Sequence, residues 1–421
     1  MRILFVAPQV PWPANKGDRQ RSYALLRALA QKHEVTLSVP ATPDEADYCL
    51  KGLRDLIAGF IPVSIEAGSR ARIPDSAWRL RRLGRYAWDL LTKPSPYAFR
   101  FITDDYRARI ARHRHDFDAV FCRYMYTLPI VRDFPYERVV VDVDDLHYLG
   151  LMRSAFSLTS GWSSPMRAPE ALRSYCYEQK LYRRLARVLV CSEADLSRIR
   201  SRRKSIVRNG VDLPDSTRLR IPPRPKTIIF VGQMSFGPNV EGLRWFLRWV
   251  WPSLRQVVPE IKLLVVGRQA DLETLPFACS SGVDIVGEVE ETASWFSSAM
   301  LSIAPLRFGL GTRIKIIESL ACGRPVVSTR IGAEGLDDID EQSGLFRVDD
   351  PQDMAGCIAS LLEQPDRALA LGDQGRLLVA SRYSWDFVTR DLASDMERWI
   401  WPPGLPTHPD QHVVPSVRAG G

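Results

Sequence analysis

The sequence predicts an α/β protein built from two doubly wound, parallel-sheet domains. Three observations lead there. Short β-branched runs alternate with helical patterns along most of the chain. The runs are continuously apolar, as strands covered on both faces require. The alternation breaks once, at the polar, four-proline stretch PDSTRLRIPPRP (214–225), and then starts again, which reads as a linker between two domains. A chain of 421 residues is long enough to fill two such cores.

In the first half the strand candidates are RILFVAP (2–8), EVTLSVP (34–40), DAVFCRY (118–124), RVVVDVDD (138–145) and RVLVCSE (187–193). Between the first two lies GDRQRSYALLRALAQKH, with Tyr23, Leu26 and Ala30 on one helical stripe. In the second half they are KTIIFVGQ (226–233), KLLVVGR (262–268), VDIVGEV (283–289), LSIAPL (301–306) and PVVST (325–329). The expected organisation is a first domain over 1–213, a linker over 214–225, a second domain over 226–384 and a C-terminal helix over 385–401 crossing back to the first domain. The proline- and glycine-rich tail 402–421 is expected to be disordered. Two such sheets in tandem place a cleft beyond the carboxyl ends of their strands.

Composition is that of an ordinary globular protein, 45% hydrophobic and 25% charged. The seven cysteines are scattered without a CxxC pair, and the six histidines show no ligand spacing. This argues against a disulfide framework and against a Cys/His metal site. MRILFVAPQVPWP does not read as a signal peptide, because Pro8, Pro11 and Pro13 interrupt a short apolar run. No stretch approaches the roughly 18 apolar residues of a spanning helix. The expected location is cytoplasmic.

The stretch Phe308–Ser328, FGLGTRIKIIESLACGRPVVS, carries the chemistry. It leaves the carboxyl end of a strand and enters a helix. Gly309 and Gly311 let backbone approach a ligand, and the helix start offers unpaired N–H groups and a positive dipole end. Arg313 and Lys315 add charge to what is already an anion site. Gly311, Lys315 and Glu318 fall on one helical face. Phosphates at the helix start and ribose hydroxyls at Glu318 fit a nucleoside diphosphate. The competing reading is a glycine turn followed by an i,i+3 ion pair of Lys315 and Glu318, worth about 0.2–0.5 kcal/mol.

GLGTRIKIIESLACGRPVVSTRIGAEGL (309–336) resembles the donor-binding signature of the GT-B glycosyltransferases, specifically the large retaining family 4. VLVCSEAD (188–195) with VRNGVDLP (207–214), IIFVGQMSFGPNVEGLRWF (228–246) and the first 37 residues resemble other segments of that family. The resemblance extends over roughly residues 1–400 and is nearest to sugar transferases associated with exopolysaccharide production. It implies a retaining, metal-independent hexosyl transfer from a nucleotide-diphosphate sugar to a saccharide acceptor, polyprenyl-linked or free. No cofactor is implied, since the nucleotide sugar is a substrate.

The donor side is then Gly232, Gly287, Gly309, Gly311, Thr312, Arg313, Lys315 and Glu318. Arg313, Lys315, Gly17 and Asp144 are the expected catalytic set, in which cations and N–H groups stabilise the leaving diphosphate. Asp145, His147 and Arg123 are placed on the acceptor side. The family commonly carries a second glutamate eight positions before Glu318, where this chain has Leu310, and cations after the second domain's first strand, where this chain reads MSFGPNVEG. The diphosphate role therefore moves to Arg313 and Lys315. VVVDVDDLHYL also contains a DxD pattern, Asp142 and Asp144, which in another glycosyltransferase fold holds a metal. The alternatives are a nucleotide-sugar epimerase of the same fold and a catalytically inactive nucleotide-sugar-binding partner.

Residues 69–100 set eight cations against two acids, a net +6 beside +8 for the whole chain. Trp78, Arg81, Arg82, Arg85 and Trp88 interleave aromatic and basic character there. Such a pattern suits a helix lying on an anionic membrane, or equally a solvated helix with an apolar underside. No RNA or DNA module is visible, and nucleic acid is not an expected partner.

Overall fold

The computed structural model describes residues 1–14, 17–64, 104–156, 167–215, 217, 221–268, 281–309 and 313–402. The membrane-surface candidates Trp78, Arg81, Arg82, Arg85 and Trp88, the donor-side candidates Gly311 and Thr312, and the tail beyond 402 lie outside them.

Two sheets organise the chain. The first contains β1 (Arg2–Val6), β2 (Glu34–Ala41), β3 (Gly59–Ser64), β4 (Ala119–Arg123), β5 (Val139–Asp144), β6 (Arg187–Val190) and β7 (Lys204–Ile206), in the order β3-β2-β1-β4-β5-β6-β7. The second contains β8 (Thr227–Val231), β9 (Lys262–Val266), β10 (Val283–Gly287), β11 (Leu301–Ala304), β12 (Val326–Ser328) and β13 (Leu345–Arg347), in the order β10-β9-β8-β11-β12-β13. Every strand pair in both sheets is parallel. In each sheet the order reverses beside the first strand, between β1 and β4 and between β8 and β11. That is where a doubly wound sheet opens a crevice for ligand.

The ten strands expected from apolar runs are all present. Among the described residues three others, β3, β7 and β13, lack such a signal for a physical reason. They are edge strands, two of them only three residues long, and an edge needs less apolar cover. β3 even carries Pro62, which an edge tolerates.

Both faces of the first sheet are packed. Ile3, Phe5, Leu37 and Phe121 point to one core, and Leu4, Val6, Val120 and Val141 to the other. This alternation is what a strand buried on both faces requires. The second sheet is covered likewise, with Ile228, Phe230 and Leu263 on one side and Ile229, Val231 and Leu264 on the other.

The chain crosses between domains twice, side by side. Val211 N–H donates to Tyr383 O at 2.9 Å and Trp385 N–H to Val211 O at 3.2 Å. After the second crossing, helix Leu392–Ile400 buries Leu392, Met396 and Ile400 in the first domain's core. His33 contacts Ala393 O at 2.9 Å through its ring nitrogen. Among the described residues no helix is long and apolar enough to cross a membrane.

Candidate active site

The carboxyl ends of both sheets face a cleft of about 740 Å³, within the range of small-molecule sites. Helix Gly17–Ala30 follows β1 on one wall and helix Ile314–Ala321 follows β11 on the other. They approach closely: a Cβ added at Gly17 would lie 2.9 Å from Ile314 Cδ1. Gly17 thus lets two helix starts from different domains meet.

On the second-domain wall, Arg313, Lys315 and Glu318 all line the cleft. Arg313 is the residue before the first helical turn and caps it with no side-chain hydrogen bond. The Lys315 ammonium donates to Asn239 Oδ1 at 2.8 Å and lies over the Phe230 ring at 4.6 Å. Burial and then the Arg313 charge push its pKa down to about 7. Glu318 is pushed up by burial, partly offset by a hydrogen bond from Gln20 of the first domain and by Lys315. The same helix buries Ile316, Ile317 and Leu320, so the polar face is presented because the apolar face is committed to the core.

Gly232 also lines the cleft, and its lack of a side chain is required. A Cβ there would lie 2.8 Å from Asn239 Nδ2 and 2.9 Å from Lys315 Nζ. Gly287 does not line the cleft. It turns the chain with φ 84° just before Glu288, which does. Gly309, at φ 124°, is likewise outside the lining, and its carbonyl accepts from Arg153 of the first domain at 2.7 Å.

The first-domain wall is built on a buried ion network. Arg21 reaches Asp142 through Nη2 at 2.6 Å and Nε at 2.9 Å. Arg123 also pairs with Asp142, and with Asp144 at 3.2 Å. Arg21, Arg123 and Asp142 are fully buried. The acceptor role expected of Arg123 is therefore corrected: its guanidinium lies beneath the cleft and anchors the two aspartates. Asp144 lines the cleft, and although burial opposes its charge, Arg123 and Arg21 hold its carboxyl well below the usual range. Asp145 lines the same wall, and desolvation of its carboxyl in the cleft and then the Asp144 charge push its pKa up. His147 does not line the cleft; it starts helix His147–Phe156, and burial lowers its pKa to about 4. A neutral imidazole off the cleft wall does not fit an acceptor contact.

Backbone strain collects here. Asp144 has φ 60° and Tyr124 φ 67°, conformations uncommon for side-chain-bearing residues. Asp144 ends β5 and Tyr124 follows the adjacent β4, and Tyr124 Oη donates to Asp144 Oδ2 at 3.3 Å. Such strain is typical of functional sites held by the surrounding fold.

Asp142 and Asp144, the DxD pair, are both engaged by guanidinium groups. Among the described residues no cluster of three or more His, Cys, Asp or Glu side chains could hold a metal ion.

Sequence reasoning did not single out Gln20, Asn209, Asn239 or Arg153. Asn209 accepts from Arg21 at 3.0 Å and lines the cleft. Asn239 carried a usable signal, since a polar residue at a helix start beyond a glycine turn faces the same crevice. Arg153 carried none, because its partners lie about 160 and 180 positions away.

Residues 225–364 match the family model described as "Glycosyl transferases group 1". D-inositol 3-phosphate glycosyltransferase of Segniliparus rotundus is 28% identical over 186 residues, 40% of this chain and 39% of that protein. The chain thus spans about two-fifths of the length of this curated relative. Sucrose-phosphate synthase from Thermosynechococcus elongatus superposes with TM-score 0.64 over 94% of this chain and 98% of that one, at 19% identity. Anabaena HepE, in complex with UDP and glucose, superposes with TM-score 0.61 over 94% and 99%, at 13% identity. The chain has the two-domain GT-B fold, and its second domain is similar to the group 1 glycosyltransferases.

Proposed function

We propose that this protein is a retaining family 4 glycosyltransferase that moves a hexosyl group from a nucleotide-diphosphate sugar to a saccharide acceptor without a metal ion. One observation carries this reading: Arg313, Lys315 and Glu318, from one helix start of the second domain, line the same cleft as Asp144 and Asp145 of the first. The diphosphate would lie at Arg313, Lys315 and the helix start, and the ribose at Glu318.

Chemistry follows from charge. As the glycosidic bond to the diphosphate breaks, negative charge grows on the leaving oxygen and positive charge on the anomeric carbon. Fixed cations and N–H groups stabilise the first. The ionised Asp144, on the opposite wall, favours the second. Arg21 and Arg123 occupy the DxD carboxylates, which supports metal independence. Closely apposed walls limit hydrolysis of the donor by water.

The finer assignment follows the likeness of 309–336 to the exopolysaccharide-associated subgroup. The acceptor would be a growing, polyprenyl-linked saccharide, reached by a protein lying on the inner face of the cytoplasmic membrane through residues 69–100. An epimerase would need a pair of acid/base carboxylates, and Asp144, one candidate for such a pair, is held ionised by Arg123 and Arg21.

The deciding experiment is thermal stabilisation by UDP, GDP, ADP and TDP sugars, with and without EDTA, followed by turnover with the sugar that binds. A shift for one nucleotide that survives EDTA, with release of the diphosphate, is expected. No shift with any nucleotide would reject a donor site here. Binding without turnover on any acceptor would favour the inactive partner.

A further inference from the structure

We infer that Arg153 is a positioning residue, a clasp that holds the two domains in the arrangement catalysis needs. The inference rests on the glycosyltransferase reading for its kinetic consequence but not for its structural one. Arg153 lies on the helix that begins two residues after Asp145. Its guanidinium spans the domain boundary and meets the Glu334 carboxylate in a two-pronged pair, Nη2 to Oε1 at 2.6 Å and Nη1 to Oε2 at 2.7 Å. Nη1 also donates to the Gly309 carbonyl at 2.7 Å. A planar fork of this kind fixes direction as well as distance.

The partners locate its effect. Gly309 lies four residues before Arg313, and a Cβ at Gly309 would lie 2.5 Å from Arg313 Nη2. Arg153 therefore grips the backbone that packs on the cation of the donor wall, from a helix rooted beside the carboxylate of the other wall.

Glu334 belongs to a charged seam. Arg198 of the first domain approaches Glu334 at 4.0 Å, and Arg208 meets Asp338 at 3.3 Å. Among the described residues of this seam Arg153 makes the bidentate pair, and it also donates to the Gly309 carbonyl. Its side chain and that of Glu334 are each 30% exposed, so the pair is partly shielded from solvent and worth more than a surface contact. Met at 153 or Gln at 334 would leave no group fully buried and unpaired, so the domains should still fold.

The test compares full-length wild type with Arg153→Met, Glu334→Gln and the exchange Arg153→Glu with Glu334→Arg. Small-angle X-ray scattering of the unliganded proteins reads domain arrangement without reference to activity. A larger radius of gyration in Arg153→Met, with a partial return in the exchange, is expected. Superimposable profiles for all four proteins would overturn the clasp. Release of UDP from UDP-glucose, or of GDP from GDP-mannose, reads its catalytic consequence. Arg153→Met should lower kcat by about tenfold or more while donor KM stays within about threefold, because donor groups on the second domain remain while their alignment is lost. A wild-type kcat in Arg153→Met, or a loss confined to KM, would overturn the positioning role. If wild type turns over no member of the UDP, GDP, ADP and TDP sugar panel, the glycosyltransferase reading fails, and scattering still decides the clasp.

Discussion

The Lys315 ammonium sits 2.8 Å from Asn239 Oδ1, although the two residues are 76 positions apart. Asn239 is held in turn by its own Nδ2, which donates to Gln233 O at 2.9 Å. Asn239 belongs to MSFGPNVEG, the segment that follows β8 and lacks a cation before Arg244. The helix after β11 delivers a cation to that place instead, and the absent side chain of Gly232 leaves room for it.

A pH dependence of donor binding follows. In the free protein Lys315 loses its proton near pH 7, whereas a bound diphosphate favours the ammonium and raises that pKa. UDP or GDP affinity should be greatest below pH 7 and fall by up to about tenfold per unit as pH rises above it. Lys315→Met should flatten this profile, and Asn239→Leu should move the fall to lower pH by removing a partner of the charged form. Titration calorimetry between pH 6 and 9 checks this; an unchanged slope in Lys315→Met would remove Lys315 from the phosphate site. Stability of the free protein moves the other way. The unfolded chain keeps this proton up to about 10.5, so unfolding takes one up between pH 7 and 10, and this group's penalty is relieved as pH rises through that window.

The Asp142 carboxylate holds two fully buried guanidinium groups, and its removal should be costly out of proportion to its size. Asp142→Ala leaves Arg21 and Arg123 facing each other with only the partly buried Asp144, at 3.9 and 3.2 Å, as a shared counter-ion. The expected loss is about 3–5 kcal/mol, read as a lower denaturation midpoint. A stability equal to wild type would mean that water or Asp144 takes over the role. Asp144→Asn should cost less, because Asp144 is only partly buried and Asn tolerates its φ of 60°.

The contrast between these two aspartates shows what a sequence can carry. VVVDVDD announces a buried strand ending in acids, and the continuous apolar run was enough to place β5 and its neighbours. It could not say which acid faces ligand. Asp142 is buried and paired, whereas Asp144, two positions on, lines the cleft, and the register of β5 against β6 shifts between them at the left-handed Asp144. A strict two-residue alternation does not foresee such a bulge. Arg123 was misplaced for another reason: a cation at a strand end beside the cleft resembles a ligand contact until its partner on the neighbouring strand, Asp142, is known. Helix Ile314–Ala321 was easier, since its glycine turn, its cations and its apolar stripe are all local.

Metal independence has its own outcome. With Asp142 and Asp144 engaged by arginines, EDTA should leave sugar transfer and nucleotide binding within about twofold of their untreated values, and added magnesium should change neither by more. Transfer assays before and after chelation and readdition check this. Loss of activity on chelation with recovery on readdition would return the DxD carboxylates to the donor phosphates.

Glu318 is the donor contact whose removal separates binding from folding. Its carboxylate faces the cleft and takes a hydrogen bond from Gln20, so the free protein holds it from the first domain. In a donor complex two ribose hydroxyls would donate to the same carboxylate. Hydrogen bonds to a charged group contribute about 1.5–3 kcal/mol, so Glu318→Ala should weaken UDP or GDP binding by about ten- to a hundredfold. Stability should not fall, because burial of an acid whose pKa is already raised is itself a cost. Glu318→Gln keeps one acceptor oxygen and should lie between the two. Gln20→Ala tests the other half of the contact: a free Glu318 should bind nucleotide no worse than wild type if Gln20 only parks the carboxylate, and several-fold worse if it orients it. Affinity by calorimetry together with thermal midpoints separates these cases, and an unchanged nucleotide affinity in Glu318→Ala would take the ribose away from this helix.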